Sequence, residues 1–344
     1  MVKVGISMGD PNGIGPEIIL KTFNDSRLFE DLTPVIYGST TILSHYKKLM
    51  PNYNVNYAKI NSVDNLSDKQ MNVVNVWNDD FEIQPGKATS IGGQFSFMAL
   101  EAATADLASG KIDVLITAPI NKKTIQNDDF NFPGHTEYLT KMSNAEESLM
   151  LMVLNNLRVG VATNHIPVSS VANALSVELI CAKISILNQS LITDFGIASP
   201  KIAVLGLNPH AGENGLLGSE EIEIIKPAID KIKNSGILAF GPFPADGFFG
   251  SGNISSYDGV LAMYHDQGLI PFKTIAHGNG VNYTAGLPIV RTSPDHGTAY
   301  DISGENKANA NSLRNAVYLA CDIFKQRNYQ KKIGANPLIM NANK

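Results

Sequence analysis

Three histidines stand just beyond short apolar runs: His165 after "LRVGVATN", His210 after "KIAVLGLNP" and His265 after "GVLAMY". Each run is rich in Val, Leu or Ile and reads as a buried β-strand. In open α/β sheets, ligands bind outside the carboxyl ends of the parallel strands. Three imidazoles delivered to such an edge would make a catalytic metal site with an open fourth position. Imidazole suits Zn2+ or Co2+ better than Mg2+. The spacing fits no local metal motif, so three unrelated loop histidines are the alternative. The flanks favour the metal: Asp266 follows His265 directly, and "GLNPHAGENG" surrounds His210 with residues that fix a tight backbone. Groups of that kind orient ligating imidazoles.

A second set of residues suits an anion. "PGHTEYL" puts His135 and Thr136 at a helix start, and Lys273, Asn282 and Arg291 lie in "PFKTIAHGNGVNYTAGLPIVRTS". A Lys, an Arg, a His and a hydroxyl are what a small phosphate ester or carboxylate requires. Ordinary solvated charges are the competing reading. Against it, Arg291 follows the apolar run "GLPIV", where an idle charge is costly to bury. "GDPNGIGPEI" marks a strand–loop–helix junction with Pro at the first helical position. Its spacing matches neither the dinucleotide fingerprint nor the P-loop, and a structural turn explains it as well as a binding loop.

The elements that must position these groups follow from the patterning. The chain has 344 residues, 44% hydrophobic and 17% charged, enough for a large core. Strand-like runs include "VKVGISM", "PVIYG", residues 113–117, "LMLMVL" and the three runs before the histidines. Helix-like segments cover Pro16–Phe23, Gln94–Ala108, Val177–Leu191, Glu220–Lys233 and Ser312–Lys325. This alternation predicts an α/β fold, a mostly parallel sheet flanked by helices. No linker interrupts the chain, so two subdomains would share one sheet and flank a cleft. The net charge of −5 and the lack of a basic run argue against nucleic acid. No apolar run approaches the roughly 20 residues of a membrane span. The N-terminus lacks a signal peptide's apolar region, which points to the cytoplasm. Cys181 and Cys321 sit in helix-like apolar runs and read as small core residues.

Six stretches, "GDPNGIGPEI", "ITAPINK", "PGHTEYL", "GLNPHAGE", "LAMYHDQG" and "NYTAGLPIVRTSPDHGTAYDISG", together resemble the 4-hydroxythreonine-4-phosphate dehydrogenase (PdxA) family of vitamin B6 biosynthesis. They run in order from about residue 4 to residue 308. The resemblance implies an isocitrate/isopropylmalate dehydrogenase-like fold, with residues 1–134 plus 285–344 as one subdomain and 135–284 as the other. It implies a homodimer whose active sites use residues from both chains. It also implies a divalent metal on His165, His210 and His265, with Zn2+ ahead of Co2+ or Mg2+. The phosphorylated substrate would lie against His135, Thr136, Lys273, Asn282 and Arg291, and Asp246 and Asp266 match acidic positions that maintain the site. Asn12 stands where Ala is usual, and the tail beyond residue 325 is idiosyncratic. A close branch of the family oxidises phosphorylated threonate or erythronate.

"DHGTAYDISG" further resembles the adenosine-binding loop of the isocitrate and isopropylmalate dehydrogenases. Aligned on His296 and Gly297, it brings Asp301 to the carboxylate position that accepts from the ribose hydroxyls, which implies NAD over NADP. A Gly-bounded turn with Asp301 capping a helix is the structural alternative. The implied reaction is NAD-dependent oxidation of 4-phosphohydroxy-L-threonine to a β-keto acid that loses CO2. A metal-dependent hydrolase or aldolase without nicotinamide, or a binding protein without turnover, would show some of the same features.

Overall fold

The computed structural model describes residues 1–77 and 81–335. The chain opens with β1 (Val2–Ser7), α1 (Gly15–Thr22), β2 (Leu32–Gly38), α2 (Thr40–Leu49), β3 (Tyr57–Ile60) and β4 (Met71–Asn75). Next come α3 (Ser90–Ala108), β5 (Val114–Thr117), α4 (His135–Met142), β6 (Leu149–Leu154) and β7 (Leu157–Thr163). A short α5 (Val171–Ala174) precedes α6 (Val177–Thr193), β8 (Lys201–Leu205), α7 (Lys226–Asn234), β9 (Leu238–Phe243) and α8 (Ala245–Gly250). The chain continues through β10 (Gly259–Tyr264), α9 (His265–Ala276), β11 (Val281–Ala285), β12 (Arg291–Pro294) and α10 (Asn311–Gly334).

All these strands join one sheet in the order β3-β4-β2-β1-β5-β12-β11-β6-β7-β10-β8-β9. From β3 to β12 the neighbours are parallel, and from β7 to β9 they are parallel again. Between these blocks β12, β11, β6 and β7 pair antiparallel in succession. The fold is therefore α/β with a mostly parallel sheet flanked by helices. Val and Ile fill the parallel strands because both faces are covered: β2 is buried along its whole length.

Helix boundaries follow local chemistry. Helix α3 starts at Ser90, four residues before the expected Gln94, because the Thr89 hydroxyl accepts from Gly92 N at 3.1 Å. Ser176 does the same for Leu179 N at the head of α6. The expected helix from Glu220 to Lys233 begins instead with a π turn, Glu221–Ile225, that leads into α7. The apolar patterning assigns no helix to the residues after β10; they form α9, starting at His265 itself. Gly268 allows this helix to lie close on the sheet, since a Cβ there would come within 3.1 Å of Val159, Val161 and Ala262.

The core falls into two clusters. The larger packs the helices against β1, β2, β5 and the centre of the sheet; the smaller packs Phe248, Leu269 and Phe272 of α8 and α9 on Met150, Met152, Val159, Val161 and Val260. Cys321 is buried and Cys181 half-buried, both as free thiols. Burial pushes the Cys321 thiol up to about 12. The "GDPNGIG" loop is a structural junction: residues 8–15 are buried, Asp10 accepts from Tyr300 Oη at 2.6 Å, and Ile14 N donates to Thr298 O at 3.0 Å.

Candidate active site

A cleft of about 250 Å³ lies over the antiparallel centre of the sheet. Register puts two polar rows on its floor. Ser293 pairs with Asn282, which pairs with Met152; Tyr283 pairs with Thr292 and Leu151, which sets Thr284 beside Arg291 and Met150. Thr117, at the end of β5, closes the floor, and α4 and α9 supply the walls through His135, Thr136, Glu137, Leu269 and Lys273.

Arg291 is 2% exposed, the largest fully buried side chain among the described residues. Its Nε and Nη2 donate to Thr117 Oγ1 at 3.1 and 2.6 Å, and its Nη1 donates to Thr284 Oγ1 at 3.1 Å. Both partners are neutral hydroxyls, and no carboxylate is within ion-pair distance among the described residues. Burial pushes the guanidinium down to about 10, with the more distant Glu137 acting the other way. It is still a cation at neutral pH, held where an anion would complete its pairing.

The walls repeat this incompleteness. His135 Nε2, Glu137 Oε2, Asn282 Oδ1 and His296 Nε2 are buried and without a hydrogen-bond partner, and all four residues line the cleft. Each such atom costs roughly 1–3 kcal/mol unless something pairs with it. Four in one cavity point to a polar ligand. Burial, with Arg291 and Lys122 nearby, holds His135 well below the ordinary histidine range, so its ring is neutral.

Two of the strand-end histidines share this cleft. The rings of His165 and His265 are 5.9 Å apart between centroids and tilted by 42°. Asp266 Oδ1 accepts from His265 Nδ1 at 2.8 Å. Around His165, Glu137 Oε1 lies 3.6 Å from Nδ1, and Lys122 Nζ lies 3.2 Å from Nε2. An ammonium has only donors, so Nε2 of His165 accepts and its ring proton sits on Nδ1. The ring in turn holds the Glu137 carboxyl below its ordinary value. Both imidazoles thus have a carboxylate at Nδ1, as ligating histidines do, and Nε2 of His165 already accepts from a cation, the Lys122 ammonium. On this observation they fit two positions of a divalent metal site.

His210 stands apart. It is exposed and outside the lining of the cleft, on a turn after β8. His210, Ala211, Gly212, Glu213 and Asn214 have φ of 52°, 51°, 79°, 42° and 56°. Left-handed backbone costs a non-glycine residue roughly 1–2 kcal/mol. Among the described residues, no three His, Cys, Asp or Glu side chains of one chain converge on a common point.

Of the other expected residues, His135, Thr136, Lys273, Asn282, Arg291, His296 and Gly297 all line the cleft. Asp266 reaches it through His265. Asp246 is exposed in the first turn of α8, and Asp301 is exposed in the 3-10 turn Tyr300–Ile302. Asp301 does not cap a helix, since that turn is preceded by Ala299 and α10 by Ala310. A Cβ at Gly297 would meet open space, and His296 Nε2 is buried without a hydrogen-bond partner. Sequence reasoning missed Thr117, Lys122 and Glu137. All three lay inside quoted motifs, Thr117 and Lys122 in "ITAPINK" and Glu137 in "PGHTEYL"; the role of Thr117 becomes visible only through its bond to Arg291.

The family model of the pyridoxal phosphate biosynthetic protein PdxA matches residues 30–320. A relative from Bacteroides thetaiotaomicron named 4-hydroxythreonine-4-phosphate dehydrogenase is 48% identical over 338 residues, covering 98% of this chain and 93% of the relative. One from Oceanobacillus iheyensis, bearing a D-threonate 4-phosphate dehydrogenase name, is 37% identical over 93% of this chain and 97% of its own length. The crystal structure of 4-hydroxythreonine-4-phosphate dehydrogenase from Klebsiella pneumoniae superposes with a TM-score of 0.82 at 35% identity, covering 94% of this chain and all of that one. With most of its length matched by the family model and by relatives well above 30% identity, the chain belongs to the PdxA family of pyridoxal phosphate biosynthetic dehydrogenases.

Proposed function

We propose that this chain catalyses NAD-dependent oxidation of 4-phosphohydroxy-L-threonine to 2-amino-3-oxo-4-phosphooxybutanoate, which decarboxylates to 3-amino-2-oxopropyl phosphate. The observation that carries the reading is the buried Arg291 cation, paired only with hydroxyls in a cleft of unpartnered polar atoms. It suits a small, doubly anionic substrate.

In this reading Arg291 and Lys273 hold the phosphate ester, with His135, Thr136 and Asn282 completing the contacts. Neutral His135 binds by hydrogen bonding rather than by charge. Asp266 and Glu137 keep the protons of His265 and His165 on Nδ1. When bound, a nicotinamide would supply the hydride acceptor, and a divalent ion, Zn2+ ahead of Co2+ or Mg2+, held by His165 and His265 with His210, would supply charge stabilisation at the substrate oxygen. His296, Gly297 and Asp301 contact the adenosine half of NAD.

The third imidazole, His210, completes the set in a homodimer with shared active sites, and exposed Asp246 contributes there in the same way. Residues 1–134 with 285–344, and residues 135–284, act as the two subdomains flanking the cleft. The dimer is supported by large exposed apolar residues just beyond each histidine: Ile166 and Val168, Leu216 and Leu217, and Ile270 and Ile275. No single helix among the described residues is long and apolar enough to cross a membrane, and we assign the enzyme to the cytoplasm.

The test is absorbance at 340 nm on mixing protein, divalent metal, NAD and 4-phosphohydroxy-L-threonine. A rise is expected. Product without a rise means a hydrolase or aldolase, and thermal stabilisation without product means a binding protein. The threonate-named relative gives one further arm: faster turnover of D-threonate 4-phosphate would move the chain to that branch.

A further inference from the structure

Five successive residues, His210 to Asn214, wind left-handed, and four of them carry side chains. Such a run persists only where its surroundings over-determine it. The carboxylate of Glu221 is the group placed to do so. Its Oε1 accepts from Leu207 N and Asn208 N, both at 2.7 Å, and its Oε2 accepts from Asn208 Nδ2 at 3.0 Å. Glu221 is 1% exposed, so its charge depends on those donors. The donors all belong to the chain leading into His210.

Two other features tighten the arrangement. Glu221 opens the π turn before α7, a backbone form often found at functional sites. At Gly212, where φ is +79°, a Cβ would lie 2.6 Å from Glu221 Oε2, so the turn and the carboxylate are in close contact. From the sheet side, Gln267 donates through Nε2 to Gly206 O at 2.6 Å and accepts from Met263 N at 2.7 Å. That side chain ties the strand end that carries His210 to the one that carries His265.

We propose that Glu221 is the positioning residue of His210: its buried carboxylate sets the left-handed turn that presents this imidazole to the divalent cation. The inference rests on the reading of His210 as a ligand. Glu221 does not touch substrate; it acts through the backbone of Leu207 and Asn208. In Glu221→Gln the amide oxygen can still accept the two backbone N–H groups, but its Nε2 would face Asn208 Nδ2, donor against donor.

The experiment compares the wild-type dimer with Glu221→Gln, His210→Ala and the double variant. Zn2+ affinity is read by competition with a chromophoric chelator, and the geometry of the site by the visible spectrum of the Co2+ form. Glu221→Gln is expected to weaken Zn2+ binding about 10- to 100-fold and to change the Co2+ spectrum. In the His210→Ala background it is expected to cost nothing further, because the two residues act as one unit. Wild-type affinity and spectrum in Glu221→Gln, alongside a weakened His210→Ala, would overturn the proposal and leave the ligand reading standing. An unchanged His210→Ala would remove the ligand reading itself, and fully additive losses would place Glu221's effect elsewhere. Should Glu221→Gln fail to fold, Asn208→Ala removes the Nδ2 bonds to both Glu221 and Glu220, and Glu220→Gln perturbs the second alone: a several-fold loss in Asn208→Ala that Glu220→Gln does not share supports the proposal, and equal losses or none overturn it.

Discussion

Replacing Arg291 by Met separates ligand recognition from folding. Burial takes the guanidinium from an ordinary value of 12.5 to about 10, a displacement that corresponds to roughly 3 kcal/mol against keeping the charge in place. The substitution removes that cost. It also removes three hydrogen bonds to Thr117 and Thr284, together worth about 4–5 kcal/mol at roughly 1.5 kcal/mol for each bond from a charged donor. The two effects oppose each other, so ligand-free stability is expected to change by less than about 2 kcal/mol. Binding has no such compensation. Losing a charge-assisted contact to a phosphate costs about 2–3 kcal/mol, or roughly 30- to 150-fold in affinity. At substrate 100 times its wild-type Kd, ligand adds about 2.7 kcal/mol to wild-type stability, but only about 0.4 kcal/mol after a 100-fold loss. Urea unfolding with and without 4-phosphohydroxy-L-threonine measures both quantities. Retention of the full ligand increment would remove Arg291 from the substrate site. A ligand-free loss above about 4 kcal/mol would show that the guanidinium holds the fold instead.

His135 gives a pH dependence. Its folded-state value lies below that of the unfolded chain, so below about pH 6.5 the unfolded state binds more protons and stability falls as pH falls, by at most about 1.4 kcal/mol per pH unit. Urea unfolding of the ligand-free protein at pH 7.0 and 5.5 should show a shallower decline in His135→Gln; equal declines would contradict the neutral assignment. Asp301→Ser should erode a wild-type preference for NAD over NADP, read as the ratio of kcat/KM values; a wild type that prefers NADP, or an unaltered ratio, rules out the ribose role. His265→Ala should lower bound metal and activity while leaving the far-UV circular dichroism spectrum in place, and full metal occupancy in that variant would remove it from the ligand set.

Much of this protein was legible without tertiary structure. Parallel strands buried on both faces must be continuous apolar runs, so β1, β2, β7, β8 and β10 announce themselves, and His165 and His265 can be read at the ends of β7 and β10. Among the polar groups of the cleft, Arg291 was visible as a charge placed after an apolar run, and His135 and Asn282 as members of quoted stretches. Tertiary structure alone decided what those groups meet. Arg291 and Thr117 are 174 residues apart in the chain, and their contact depends on β12 pairing with β5. The antiparallel centre that floors the cleft depends on β11 (Val281–Ala285) finding β6 and β12, because a five-residue strand carries no signal of its partner's direction. The left-handed turn at His210 is set by Glu221, eleven residues later, whose carboxylate has no reason to be buried until Leu207 and Asn208 turn their amides toward it. Periodicity is a property of consecutive residues and survives in the sequence; pairing between distant segments is settled only when the whole chain competes for the same partners.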